Sequence, residues 1–166
     1  MHIDWLNHDY LQKGGIGLTI LPGRKDNNRS VDKDLRQLKA FGVDTVIPLI
    51  TDDEFNDYGV SDLLEKYKTY GFEVHRLPIM DQLVSSEEEM NDLVRRIENH
   101  LAADKKVLLH CVGGLGRSGL VAASYLKYKG LHWNDAIASV RKIRGPKAVE
   151  TRVQEDFVES ITFDQV

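Results

Sequence analysis

The chain reads as an α/β fold, with a central, mostly parallel sheet of four to five strands flanked by helices in one domain over residues 1–166. Three observations predict it. Short apolar runs closed by glycine or proline alternate with segments of helical period, the order expected of helices laid over a parallel sheet. A length of 166 residues is one domain's worth, enough to bury a sizeable core without staples. The stretch Val107 to Gly119 runs from a buried strand through a glycine-rich turn into an apolar helix, placing a loop where such sheets bind ligands.

Each element follows from punctuation and periodicity. Gly15 to Leu21 is an expected strand ended by Pro22-Gly23, and the polar run Arg24 to Ser30 an expected loop. Val31, Leu35, Leu38 and Phe41 recur at helical spacing, with Ser30 as N-cap and Gly42 past the end. Thr45 to Ile50 is a short buried strand, and Thr51 to Val60 is expected to be an acidic loop. A helix over Ser61 to Tyr70 stops at Gly71, and Phe72 to Leu77 forms the next strand before Pro78. A capping box, Ser85 with Glu88 or Ser86 with Glu89, opens a helix whose core stripe is Met90, Leu93, Val94, Ile97 and Leu101. After the strand Val107 to His110 comes a helix from Ser118 to about Lys129, nearly apolar all round and therefore central. Trp133 to Ile143 and Glu150 to Ile161 are two further helices separated by Arg144-Gly145-Pro146.

Composition narrows the function. Apolar residues at 42% and charged ones at 29% belong to an ordinary globule, and a net charge of -4 argues against a general nucleic-acid partner. No apolar run approaches membrane-spanning length and the first residues lack a signal-peptide core, so no membrane association and a cytoplasmic or nuclear location are expected. The one cysteine excludes an internal disulfide or a Cys-x-x-Cys site. His2, His8, His75, His100 and His132 show no metal-ligand spacing, so neither a metal nor any other cofactor is expected.

The loop after Val107-Leu-Leu carries the chemistry. Val112, Gly113, Gly114, Leu115 and Gly116 can point successive backbone N–H groups inward as a nest, to which the helix N-terminus adds partial positive charge. Cys111 and Arg117 bracket that nest, so a phosphate can sit with the sulfur beneath it and the guanidinium fork across two oxygens. Gly114-Leu-Gly-Arg-Ser-Gly119 also matches the dinucleotide fingerprint, but a second helix follows where that fold needs a strand ending in an acidic residue. A nucleotide triphosphatase loop requires Gly-Lys-Ser/Thr, and here Gly116-Arg117-Ser118 stands instead. The pattern that fits is the His-Cys-x-x-Gly-x-x-Arg-Ser/Thr loop of protein tyrosine phosphatases, supplied by His110, Cys111, Gly114, Arg117 and Ser118.

A thiol at a helix N-terminus beside a cation is poised as the thiolate nucleophile, and attack on a phosphate monoester yields a phosphocysteine. The nest amides and Arg117 are aimed at the charge that builds on the equatorial oxygens. A general acid must come from elsewhere, because the loop contains no carboxyl. Asp81, in the loop after the strand Phe72 to Leu77, is the candidate, with Asp52, Asp53, Glu54 and Asp57 as rivals. Ser118 is either a donor to the sulfur or a simple N-cap, and His110 either shapes the loop through its backbone or is a satisfied core histidine.

From Leu21 to Phe157 the chain resembles the cyclin-dependent-kinase-associated phosphatase group, in the dual-specificity branch of the tyrosine phosphatases. The resemblance rests on Leu21-Pro22-Gly23, Phe41-Gly42, Leu77-Pro-Ile-Met-Asp81, His110 to Ser118 and Leu120-Val-Ala-Ala123. It implies a Cys111 nucleophile, phosphate binding by Arg117, Asp81 as general acid, activity without metal, and a role for Gln154 in placing the hydrolytic water. On residue pattern alone Gln154 is a polar edge residue beside Phe157 and Val158. Gln82 stands where the family usually has glycine after the acid, and little precedes Leu21 to match a kinase-docking extension, so a kinase partner is not carried over. The loop has no lysine, which favours a phosphoprotein over a highly charged phosphoinositide. The expected activity is hydrolysis of phosphotyrosine, with phosphoserine and phosphothreonine allowed. A catalytically weak phosphoprotein-binding module and a rhodanese-like sulfurtransferase are the alternatives.

Overall fold

A computed structural model describes residues 1–6 and 15–164. Five strands form one sheet in the order β1-β2-β5-β3-β4: β1 (Asp4–Trp5), β2 (Gly15–Thr19), β3 (Thr45–Pro48), β4 (Glu73–Val74) and β5 (Lys106–His110). The last four are mutually parallel, and only β1 runs antiparallel, pairing Asp4 with Leu18 and Trp5 with Gly17. β5 lies in the middle, with Gly15 opposite Lys106 and Thr19 opposite His110 on one side, and Thr45 opposite Val107 and Pro48 opposite His110 on the other. Because these strands share a direction, the loops that leave β2, β3, β4 and β5 all emerge at one edge of the sheet.

The helices are α1 (Val31–Ala40), α2 (Asp52–Asp57), α3 (Leu63–Thr69), α4 (Glu87–Ala102), α5 (Gly116–Tyr128), α6 (Trp133–Arg144) and α7 (Arg152–Ser160). Ser30 caps α1 by accepting from the Lys33 amide, and Ser86 with Glu89 forms the capping box of α4. α5 is buried on every side from Gly116 to Leu126, as its lack of a polar face requires. It packs against α4, α6 and α7. Val107, Leu108 and Leu109 are fully buried beside it, each stabilising the fold by roughly 1.5–3 kcal/mol relative to exposure.

Four expectations need correction. The acidic segment after Thr51 is a helix, α2, because Thr51 and Glu54 form a reciprocal capping box that satisfies its first amides. α5 begins at Gly116 and not at Ser118, which places Arg117 and Ser118 in its first turn. The strand expected over Phe72 to Leu77 has only Glu73 and Val74 in the ladder, and beyond them single bonds from His75 to Val46 and from Ile79 to Leu49 keep the chain alongside β3. β1 has no counterpart among the expected strands, since two residues carry no period. No helix among the described residues is long and apolar enough to cross a membrane.

Candidate active site

The loop from Cys111 to Gly116 joins β5 to α5, and its shape is held from outside through its carbonyls. The Val112 carbonyl accepts from the Leu21 amide at 2.9 Å and from Arg24 Nη1 at 3.3 Å. Arg144 takes the Gly113 carbonyl with Nη2 and the Gly114 carbonyl with Nε, both at 2.9 Å. The Leu115 carbonyl accepts from the Gly119 and Val149 amides. In a trans peptide the N–H points opposite to the C=O, so four carbonyls drawn outward turn the amides of Gly113, Gly114, Leu115 and Gly116 toward the middle of the loop. Gly114 has φ +70, and a Cβ there would lie 2.3 Å from the Thr19 carbonyl oxygen. Only glycine lets β2 and the loop approach so closely.

Cys111, 3% exposed, opens this loop, and Ser118 Oγ donates to its Sγ at 3.4 Å. His110 is fully buried; its Nδ1 donates to the Cys111 carbonyl at 3.1 Å, which leaves Nε2 to accept from Tyr67 Oη at 2.9 Å. Burial pushes the imidazole down from 6.5 to about 4, opposed by the Cys111 carbonyl and aided by Arg117. The ring is therefore neutral at physiological pH. Burial likewise pushes the Tyr67 phenol well above its ordinary value, so it remains a donor.

Arg117, 2% exposed, rises from the first turn of α5. Its Nη1 donates to Glu54 Oε1 at 2.6 Å and to the Ile79 carbonyl at 2.8 Å, and its Nη2 donates to Glu54 Oε2 at 2.9 Å. Nε is buried and has no partner. Burial would raise the Glu54 pKa, but the bonds from Arg117 and Thr51 outweigh it and hold the carboxyl below its usual value. Burial acts on Arg117 in the opposite sense, and Glu54, Cys111 and Asp81 together keep its pKa raised. Glu54 is thus the residue that sequence reasoning misplaced: it is the half-buried ion-pair partner of Arg117 and not a free acid. The Thr51-x-x-Glu54 capping box was the available signal.

Asp81 is exposed and lies on a turn, with Oδ1 3.5 Å from Arg117 Nη2. Among its rivals, Asp52 pairs with Arg76 at 2.7 Å, while Asp53 and Asp57 face solvent. Gln82, which follows Asp81, takes φ 67, a left-handed conformation that favours glycine. The next peptides are tied to the start of α7: Thr151 Oγ1 donates to the Gln82 carbonyl at 3.0 Å and Gln154 Nε2 to the Leu83 carbonyl at 3.1 Å. Gln154 is not the polar edge residue that its helix position suggested, because it is fully buried. Its Oε1 accepts from the Glu150 and Thr151 amides.

The structure thus gathers His110, Cys111, Val112 to Gly116, Arg117, Ser118 and Asp81 at one edge of the sheet, with Gln154 one contact behind the Asp81 loop. It also adds Glu54, Arg24 and Arg144, whose contacts join residues far apart in the chain. Arg24 pairs with Asp26 and lies over the Tyr58 ring while reaching the loop. Away from this edge, His75 and His100, expected to be unrelated, face each other, whereas His8 lies outside the described residues.

Comparisons with known proteins agree with this geometry. The profile of the family described as cyclin-dependent kinase inhibitor 3 matches residues 1–142. The Homo sapiens protein of that name is 36% identical over 167 residues, covering 95% of this chain and 77% of its own length. Its Rattus norvegicus counterpart is 38% identical over 151 residues, covering 86% and 69%. Kinase associated phosphatase, solved with serine replacing its catalytic site cysteine, superposes with a TM-score of 0.91 at 34% identity over 95% of this chain and 92% of that one. Tk-PTP in its active form gives a TM-score of 0.77 at 30% identity over 96% and 95%. The chain belongs to the cyclin-dependent kinase inhibitor 3 family and is a dual-specificity protein phosphatase of the tyrosine phosphatase superfamily.

Proposed function

We propose that this loop hydrolyses phosphotyrosine, and phosphoserine or phosphothreonine, in a phosphoprotein through a phosphocysteine. Arg117 carries the reading. Glu54 occupies both of its Nη atoms on one side, and the buried Nε has no protein acceptor, although a buried N–H is costly to leave unmade. A phosphate oxygen in the nest would accept from Nε, and the nest amides would take the others.

Cys111 Sγ attacks phosphorus in line with the ester oxygen, and the P–O bond to the protein side chain breaks as the S–P bond forms. Asp81 gives its proton to the departing oxygen, a role supported by its Oδ1 lying 3.5 Å from Arg117 Nη2, the guanidinium that would hold the phosphate. The resulting carboxylate then takes a proton from water, whose oxygen attacks phosphorus and releases the sulfur. Ser118 Oγ donates to that sulfur and stabilises it as the leaving group. His110 is neutral, so its part is to hold the Cys111 carbonyl and not to supply charge. In this conformation Gln154 Oε1 accepts from two amides and one Nε2–H donates to the Leu83 carbonyl, so the second Nε2–H is the donor that would place the hydrolytic water. The relatives' name, cyclin-dependent kinase inhibitor 3, makes a cyclin-dependent kinase one phosphoprotein to test as substrate.

The test is a panel of phosphotyrosine, phosphothreonine and phosphoserine peptides assayed in chelator with wild type and Cys111→Ser. Turnover by the wild type and none by the variant is expected. Full activity in the variant, or a need for added metal, would end the phosphocysteine mechanism.

A further inference from the structure

Glu73 opens β4 and His75 follows its last residue, held alongside β3 by its amide bond to the Val46 carbonyl, so two positions apart in extended chain their side chains lie on the same side. His100 descends on that face from the last turn of α4. His75 Nε2 lies 3.0 Å from His100 Nε2 and 3.6 Å from Glu73 Oε1, and Glu73 Oε2 lies 3.6 Å from His100 Nδ1. One ligand atom from each of the three residues falls within 4.8 Å of the others. Zinc bonds of about 2.0–2.1 Å in a tetrahedron set ligand atoms about 3.3 Å apart, and the two separations from His75 Nε2 bracket that value.

Two imidazole nitrogens at 3.0 Å can share one N–H only if the rings adopt opposite tautomers, whereas a cation between them lets both present a lone pair. The second nitrogen of His100 already has a partner of the kind that orients a ligating ring, since Nδ1 lies 3.5 Å from Thr45 Oγ1. Both rings are half-buried and Glu73 is exposed, so the group is anchored on one side and reachable from the other. An adjoining cleft of about 390 Å³ opens at His75, and its acidic Glu89 and Asp92 offset Arg76 and Arg96.

We propose that Glu73, His75 and His100 bind a zinc ion that staples the edge strand β4 to the end of α4. None of the three belongs to the catalytic loop. A fourth position, filled by water, completes the tetrahedron.

Titration calorimetry with zinc chloride on Cys111→Ser protein tests this, since that background removes the one thiolate that would itself take up zinc. One zinc per chain is expected, and His75→Ala or His100→Gln added to that background should weaken binding at least tenfold. Far-UV circular dichroism of each metal-free variant checks the fold. Zinc should raise the thermal midpoint of Cys111→Ser protein and leave that of the His100→Gln double variant unmoved, while magnesium should move neither. Absence of zinc uptake, or unchanged affinity when both histidines are replaced, would overturn the proposal whatever the phosphopeptide panel shows.

Discussion

Acidification from pH 7 to 4.5 should destabilise the protein through His110 in a way that one substitution removes. The ring is fully buried, and burial pushes its pKa from 6.5 to about 4. Between those values the unfolded chain binds a proton that the folded chain refuses. Stability therefore rises with pH across this window: the contribution is complete above about pH 6.5 and is lost as pH falls toward 4. The gap between 6.5 and about 4, at about 1.4 kcal/mol per pH unit, amounts to about 3 kcal/mol. Urea unfolding of wild type and His110→Asn at intervals from pH 7 to 4.5 separates this from the carboxylates, which titrate in both proteins. The introduced carboxamide would keep an N–H for the Cys111 carbonyl, so the variant should be less stable at pH 7 yet flatter with pH. Parallel stability curves for the two proteins over this range would refute a buried neutral imidazole.

Four further outcomes follow from the site. Asp81→Asn should lower turnover of phosphopeptides by about 10²-fold or more, and Asp53→Asn should leave it near wild type; equal small losses would move the acid elsewhere. Glu54→Gln strips the charge partner from buried Arg117 and should cost about 3 kcal/mol of stability in denaturant, part of which inorganic phosphate restores by occupying the same guanidinium. Gln82→Gly relieves a left-handed backbone worth about 1–2 kcal/mol, so thermal unfolding should show no destabilisation; a clear loss would mean that the glutamine side chain holds the turn. Thr151→Val cuts the tie to the Gln82 carbonyl and should lower kcat with KM little changed, with recovery in Thr151→Ser, and an unchanged kcat in Thr151→Val would show that the tie does not position the Asp81 loop.

Much of this was legible because most of the candidate catalytic residues are contiguous. His110, Cys111, Arg117 and Ser118 sit in one strand-loop-helix, and the alternation of apolar strands with amphipathic helices announced the parallel sheet around them. The unreadable parts have physical reasons. α2 has a single buried apolar residue, Phe55, so no periodicity marked it and only its capping box could have. That omission hid Glu54, because a carboxylate in a loop and one in the first turn of a helix look alike in sequence. Arg144 and Arg24 contact the loop across 30 and 88 positions, and His75 meets His100 across 25. Such encounters are set by how the sheet and helices pack, which local pattern does not encode. Gln154 was misplaced for the same reason, since its burial depends on where the Asp81 loop lies.

The guanidinium that grips the Gly113 and Gly114 carbonyls is itself steadied from the far end of the chain, by Asp4 Oδ2 at 3.1 Å. The opening strand therefore belongs to the scaffolding of the proposed phosphate loop. A protein trimmed to begin at Gly15 would keep every reactive side chain and still bind oxyanions poorly. Fusion partners placed ahead of Met1 should be chosen with the same wiring in mind.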